Sequence, residues 1–160
     1  MTQQQRVGIK NFRVVNDWFY RGGQPETSQL AELKTLGIKT IVCLRWNSKA
    51  IEHERLKAEE LGINFVYLPL TYWILPKRDE IARFFAIIDD ESQHPIFLHC
   101  KHGSDRTGML TAFYRMAREG WSADEAYKEM HDAGFHKIRM RHFKWAVYRF
   151  PRKGREWFSN

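Results

Sequence analysis

Twice in its N-terminal half the chain runs an amphipathic stretch into Leu-Gly-Ile and then directly into an apolar, β-branched run. TSQLAELKTLG (27–37) gives way to IKTIVCL (38–44), and SKAIEHERLKAEELG (48–62) gives way to INFVYLPL (63–70). A glycine just past the last apolar-periodic residue closes a helix, and the switch of period that follows marks a strand. Two copies are too few for a solenoid. The pattern predicts two αβ units that share one capping solution. Beyond Pro76 the alternation continues. KRDEIARFFAIIDDES (77–92) carries Ile81, Phe84, Phe85 and Ile88 at helical spacing, and PIFLHC (95–100) reads as a short buried strand. TGMLTAFYRMAREG (107–120) puts Met109, Leu110, Phe113, Met116 and Ala117 on one core-facing stripe. Ser122 with Glu125 forms a capping box that opens WSADEAYKEMHDAG, and a last helix is expected from about Ile138 to Phe150, before Pro151. Strands alternating with helices imply an α/β fold, a largely parallel sheet covered by helices on both faces. In such sheets function gathers at the carboxyl ends of the strands.

Length and composition set the remaining bounds. At 160 residues and 43% hydrophobic, the chain is expected to form a single domain over 1–160. No apolar run approaches the ~18 residues of a membrane span, and MTQQQRVGIK lacks the apolar region of a secretory signal, so a cytoplasmic protein is expected. Two cysteines make no disulfide framework, and Cys43, in the middle of IVCL, reads as a small buried hydrophobe. The net charge of +7 is uneven: Lys137, Arg139, Arg141, Lys144, Arg149, Arg152, Lys153 and Arg155 face one acid, Glu156. Nucleic acid, an anionic membrane surface and a phosphorylated substrate all fit that sign. A solvated basic helix fits it too, and is the simpler reading.

HCKHGSDRTG (99–108) lies where function is expected, between the strand PIFL and the helix GMLTAF. Successive backbone N–H groups in a strand-to-helix turn, together with the positive end of the helix, form an anion site. Gly103 lets the backbone bend or approach a ligand closely, and Gly108 lets the new helix pack tightly. Arg106 offers a planar fork of donors that matches two phosphate oxygens. Cys100 at the base of such a cradle is pushed toward thiolate, and a thiolate facing a phosphate is a nucleophile. His99, Cys100, His102 and Asp105 are all ligand types, but no second cluster at paired spacing completes a zinc site, and a Walker loop would need GK[ST].

Cys100, five residues and Arg106 make a CX5R motif, and HCKHGSDRTG resembles the signature loop of the cysteine-dependent tyrosine and dual-specificity phosphatases. NFRVVNDWFYRGGQP (11–25), LGIKTIVCLR (36–45) and GWSADEAYKEM (120–130) resemble the small atypical dual-specificity members, so the likeness spans roughly 11–135. The resemblance implies a four- or five-stranded sheet and hydrolysis of phosphomonoesters through a phosphocysteine. Protein phosphotyrosine is the first substrate class, with phosphoserine and phosphothreonine beside it, and phosphoinositides or inositol polyphosphates are the alternative. A phosphate-binding module without turnover is a third reading, against which an intact Cys100 and Arg106 argue. No metal, organic cofactor or stable nucleic-acid partner is implied. Cys100 would be the nucleophile and Arg106 the clamp. Backbone amides of Lys101, His102, Gly103, Ser104, Asp105 and Arg106 would hold the phosphate oxygens, Thr107 would assist the thiolate, and His99 would order the loop from behind.

The chain departs from the family over the general acid. The usual aspartate lies some 25–35 residues before the cysteine, and LPLTYWILP (68–76) has no carboxylate, with Trp73, Ile74 and Leu75 in its place. Asp105, inside the loop as in myotubularin-like phosphatases, is the preferred replacement. Asp79 is the alternative, although the helix dipole alone explains an acid in that first turn. Lys101 and His102 either add charge for a polyphosphorylated substrate or are simply solvated. Tyr72 fits a wall for a phosphotyrosine ring or a core position, and for Trp73 the core is the simpler reading. A disulfide between Cys43 and Cys100, protecting the nucleophile, would need Cα atoms within about 7 Å.

Overall fold

A computed structural model describes residues 7–158, with side chains through Arg152, so Lys153, Arg155 and Glu156 of the basic tail lie outside the described side chains. Five strands form one sheet: β1 (Arg13–Asn16), β2 (Phe19–Gly22), β3 (Thr40–Cys43), β4 (Asn64–Tyr67) and β5 (Ile96–His99), in spatial order β1-β2-β5-β3-β4. Only the β1–β2 hairpin is antiparallel. The helices are α1 (Leu30–Leu36), α2 (Lys49–Glu60), α3 (Arg78–Ile88), α4 (Arg106–Arg118), α5 (Ala123–Asp132) and α6 (Arg141–Phe158).

The sheet separates two apolar layers. On one side Leu30, Leu33 and Ala58 of α1 and α2 pack with Ile41, Ile63 and Phe97. On the other, Phe84 and Phe85 of α3, Met109 and Phe113 of α4, Met130 of α5 and Phe143 and Val147 of α6 pack with Val42, Ile96 and Leu98. Helices on both faces are what a mostly parallel sheet requires, because neither face can be left to water. α1 ends at Gly37, left-handed at φ 95°, as the LeuGlyIle reading expects. α5 opens with the Ser122–Glu125 capping box.

The hairpin strands β1 and β2, for which no element was expected, carry too few alternating apolar residues to be read from RVVN and FYRG. Two expectations need correction. The last helix begins at Arg141, which leaves Ile138 in the preceding turn, and it runs through Pro151 to Phe158. Trp73 is not a core residue: it is 79% exposed.

Candidate active site

β2, β5 and β3 run parallel, so their carboxyl ends converge where the signature loop leaves β5 and enters α4. Cys100 follows β5 directly and is 1% exposed, and its Sγ accepts a hydrogen bond from the Gly103 N–H at 3.2 Å. Burial alone would push the thiol pKa up. The Arg106 charge, the Thr107 hydroxyl and N–H, and the Gly103 N–H outweigh burial and hold it below its ordinary value. Thr107 Oγ1 is buried with no fixed partner, so its hydroxyl is free to turn to the sulfur.

Gly103 makes the cradle geometrically feasible. Its φ is +74°, and a Cβ there would stand 2.5 Å from the Gly22 carbonyl carbon, a distance no side chain tolerates. The loop therefore lies flat against the end of β2. Gly108 packs against α5, where a Cβ would meet Met130 Cγ at 3.0 Å.

Arg106 is 2% exposed and fixed before any substrate arrives. Its Nη1 donates to Leu70 O at 3.0 Å and to Leu44 O at 3.3 Å, its guanidinium carbon lies 3.9 Å from the Tyr72 ring centroid, and Nε has no partner. Tyr72, half-buried, thus lies against the clamp, a contact that neither of the two sequence readings named.

Behind the loop lies a layer of buried charge that the sequence reading largely missed. Arg21 of β2 donates from Nη2 to Gly103 O at 2.8 Å, while its Nε and Nη1 are buried without partners, and burial pushes its pKa down to about 10. His99, fully buried, hydrogen-bonds Glu54 of α2 through Nε2 and lies 3.2 Å from Cys100 O through Nδ1. Burial would depress the imidazole, but the Glu54 carboxylate more than reverses it and raises His99 well above its ordinary pKa. Gln24 donates to Glu54 at 3.0 Å and accepts from Arg45 at 3.2 Å. The available signal for Glu54 was a carboxylate on the buried stripe Ile51, Glu54, Ala58 of an amphipathic helix. His99 thus lies behind the loop, paired with Glu54, a partner the sequence did not name.

Cys43, Glu54 and His99 offer donor atoms within 4.8 Å of one another, the one such group found among the described residues, although the Glu54–His99 hydrogen bond already occupies a ring nitrogen. Cys43 pairs with His99 across β3 and β5, whereas Cys100 packs with Val42, Leu44 and Leu98 on the opposite face. The pleat thus turns the two sulfurs apart, and both are free thiols.

Asp105 is 3% exposed at the start of α4. His136, in the turn between α5 and α6, donates to it from its backbone N at 3.0 Å and from Nδ1 at 2.9 and 3.1 Å. Asp79 is exposed in the first turn of α3. Lys101 is exposed, and its carbonyl accepts from Gln24 N at 3.0 Å. His102 Nδ1 lies 3.1 Å from Lys10 Nζ, and its ring centroid lies 6.4 Å from that of His136. Burial and the charges of Lys10, Lys101 and His136 hold His102 below its ordinary pKa. Ser104 is buried beneath Gly134.

A model of the family described as "DSP-PTPase phosphatase fused to NAD+ Kinase" matches residues 5–146. The chain belongs to that family. Among curated relatives, dual specificity protein phosphatase TpbA of Pseudomonas aeruginosa is 29% identical over 116 residues, covering 72% of this chain and 51% of TpbA. Inositol diphosphatase DSP3 of Arabidopsis thaliana is 32% identical over 125 residues, covering 74% of this chain and 60% of DSP3. The phosphatase-family chain therefore spans about half to three-fifths of these relatives' lengths. The crystal structure of TpbA matches with a TM-score of 0.73 at 25% identity, over 86% of this chain and 83% of that one. The catalytic core of the Saccharomyces cerevisiae PP-IP phosphatase SIW14, in complex with citrate, matches with a TM-score of 0.74 at 19% identity, over 94% and 96%, and shows the shared fold. No helix among the described residues of this family member is long and apolar enough to cross a membrane.

Proposed function

We propose that the chain, as a single domain over 1–160, acts as a phosphatase that hydrolyses phosphomonoesters through a phosphocysteine on Cys100. The observation that carries this reading is the buried Cys100 sulfur, which accepts from the Gly103 N–H at the base of a loop pinned from behind, with Arg106 and Thr107 beside it holding its pKa below the ordinary value. Sγ attacks phosphorus, the ester P–O bond breaks, and water then cleaves the S–P bond and regenerates the thiolate. Amides of the loop and the Arg106 fork take the charge that grows on the phosphoryl oxygens.

The leaving oxygen needs a proton, and we assign its source to Asp105 together with His136. The carboxylate fixes His136 Nδ1–H and leaves Nε2 of a 49% exposed ring to deliver the proton. Asp79 has a sufficient explanation in the α3 dipole. Phosphotyrosine in proteins is the first substrate class, supported by the deep Cys100 and by the likeness to TpbA, which has also been solved with pTyr. Inositol polyphosphates form the second. Lys10, Lys101, His102 and His136 gather at one side of the loop, and inositol diphosphatases are among the relatives. Hydrolysis of p-nitrophenyl phosphate that disappears in Cys100→Ser and is blocked by vanadate supports the reading; turnover that survives Cys100→Ser overturns it. A panel of phosphopeptides and inositol phosphates separates the two substrate classes.

A further inference from the structure

Trp73, Ile74 and Leu75 fill the stretch where the family usually keeps its acid, and they point outward, 79%, 61% and 38% exposed. The segment is tied down at both ends. His142 Nε2 hydrogen-bonds Tyr72 O at 2.6 Å, and Leu75 and Pro76 line a cleft of about 230 Å³ with Ala146 and Arg149 of α6. Trp145 lies three residues after His142 and four before Arg149, on the same helical stripe, and is 55% exposed. Ile138, in the turn that leads into α6, is 77% exposed. Among the described residues, neither Trp73 nor Trp145 stacks on another ring or a cation, unlike Trp18 and Trp121.

Cations surround this lip. Lys77, Arg78, Lys137, Arg139, Arg141 and Arg149 are exposed, and among the described residues none is paired with a carboxylate. Elsewhere Arg55, Arg115, Arg118 and Lys128 all have acid partners. Two acids lie nearby in the first turn of α3: Glu80 accepts from the Lys77 N–H, and Asp79 is exposed without a salt-bridge partner among the described residues, so the six cations still outnumber them. The lip also borders the reactive mouth, because Tyr72 under Arg106 immediately precedes Trp73 and His136 on Asp105 lies two residues before Ile138.

We propose that this lip docks the protein on an anionic phospholipid bilayer, with the Cys100 cradle turned toward the headgroups. An exposed Trp, exposed apolar neighbours and an unpaired basic rim are the combination that the headgroup region accepts. A second copy seated on the same face would set cations against cations, which disfavours it. The docking face is independent of whether the phosphoester belongs to a protein or to an inositol.

Vesicle flotation tests the proposal on the full chain, with phosphatidylcholine vesicles and with phosphatidylcholine–phosphatidylserine vesicles. The protein is expected to float with the second kind and to be released by high salt. Trp73→Ala with Ile74→Ser should weaken binding about tenfold or more. Lys137→Ala and Arg139→Ala should each weaken it about fivefold. Leu56→Ser, at a 52% exposed site on α2, should leave it unchanged. All these positions are exposed, and an unchanged urea midpoint confirms that each variant folds. Failure of the unaltered protein to float, full binding by the Trp73/Ile74 variant, or self-association that the same variant abolishes would each overturn the proposal. Turnover of soluble p-nitrophenyl phosphate is measured in parallel. A protein that turns over but ignores vesicles refutes only the docking, and one that floats without turnover refutes only the phosphatase reading.

Discussion

Replacing Glu54 with Gln removes one charge from a pair that the fold has taken wholly out of water. Glu54 is 2% exposed and His99 fully buried, and the imidazole stands against the carbonyl of the nucleophile. Gln keeps the shape and the contact with Gln24, so the loss is that of a broken buried ion pair, about 3 kcal/mol. At a urea slope near 2 kcal/mol/M the unfolding midpoint should fall by about 1.5 M. The pH dependence has a definite sign. His99 holds its proton more tightly folded than unfolded, so this stabilisation is complete below the unfolded imidazole value, about 6.5, and is lost as pH rises through the much higher folded value. Urea titrations of both proteins from pH 6 to 9 should show a gap that is widest at low pH and narrows upward. A gap below about 1 kcal/mol at pH 6, or one that widens with pH, would refute the charged-pair account.

Other consequences can be measured directly. Thr107→Val should raise the apparent thiol pKa of Cys100 by about one, read from the pH dependence of iodoacetamide alkylation, because the hydroxyl that is free to turn to the sulfur is lost. Asp105→Asn should cost at least about 10²-fold in turnover of phenyl phosphate and less with better leaving groups, whereas Asp79→Asn should stay near the unaltered rate; the reverse ranking would move the acid to α3. Arg106→Lys should lower kcat about 10² to 10³-fold, since one ammonium cannot replace a fork already oriented by Leu44 and Leu70. Gly103→Ala should abolish turnover, by more than about 10²-fold, through displacement of the loop from Gly22.

The parts of the fold that were legible in sequence are those with strong local signals. β3, β5 and α4 carry uninterrupted apolar runs or stripes, and α1 and α5 carry their own caps. The β1–β2 hairpin was not legible, because its charged Arg21 is buried for the sake of Gly103, a contact 82 residues away. The site divides in the same way. Cys100, Arg106 and Thr107 are set by one continuous loop and could be read from it. Glu54 and His136 act through partners 45 and 31 residues distant, and no local spacing announces such contacts. Trp73 misled for a related reason: an aromatic beside apolar neighbours reads as core, and only the tertiary path of 72–76 across α6 turns it outward.

The central claim is a covalent phosphoryl group on one sulfur. Acid quench within the first turnover of p-nitrophenyl phosphate, followed by digestion and mass spectrometry under conditions that preserve thiophosphates, should place one phosphoryl group on the peptide that contains Cys100 and none on the Cys43 peptide. Release of p-nitrophenol with no phosphoryl group at Cys100 at any quench time, or with the label elsewhere, would contradict the account.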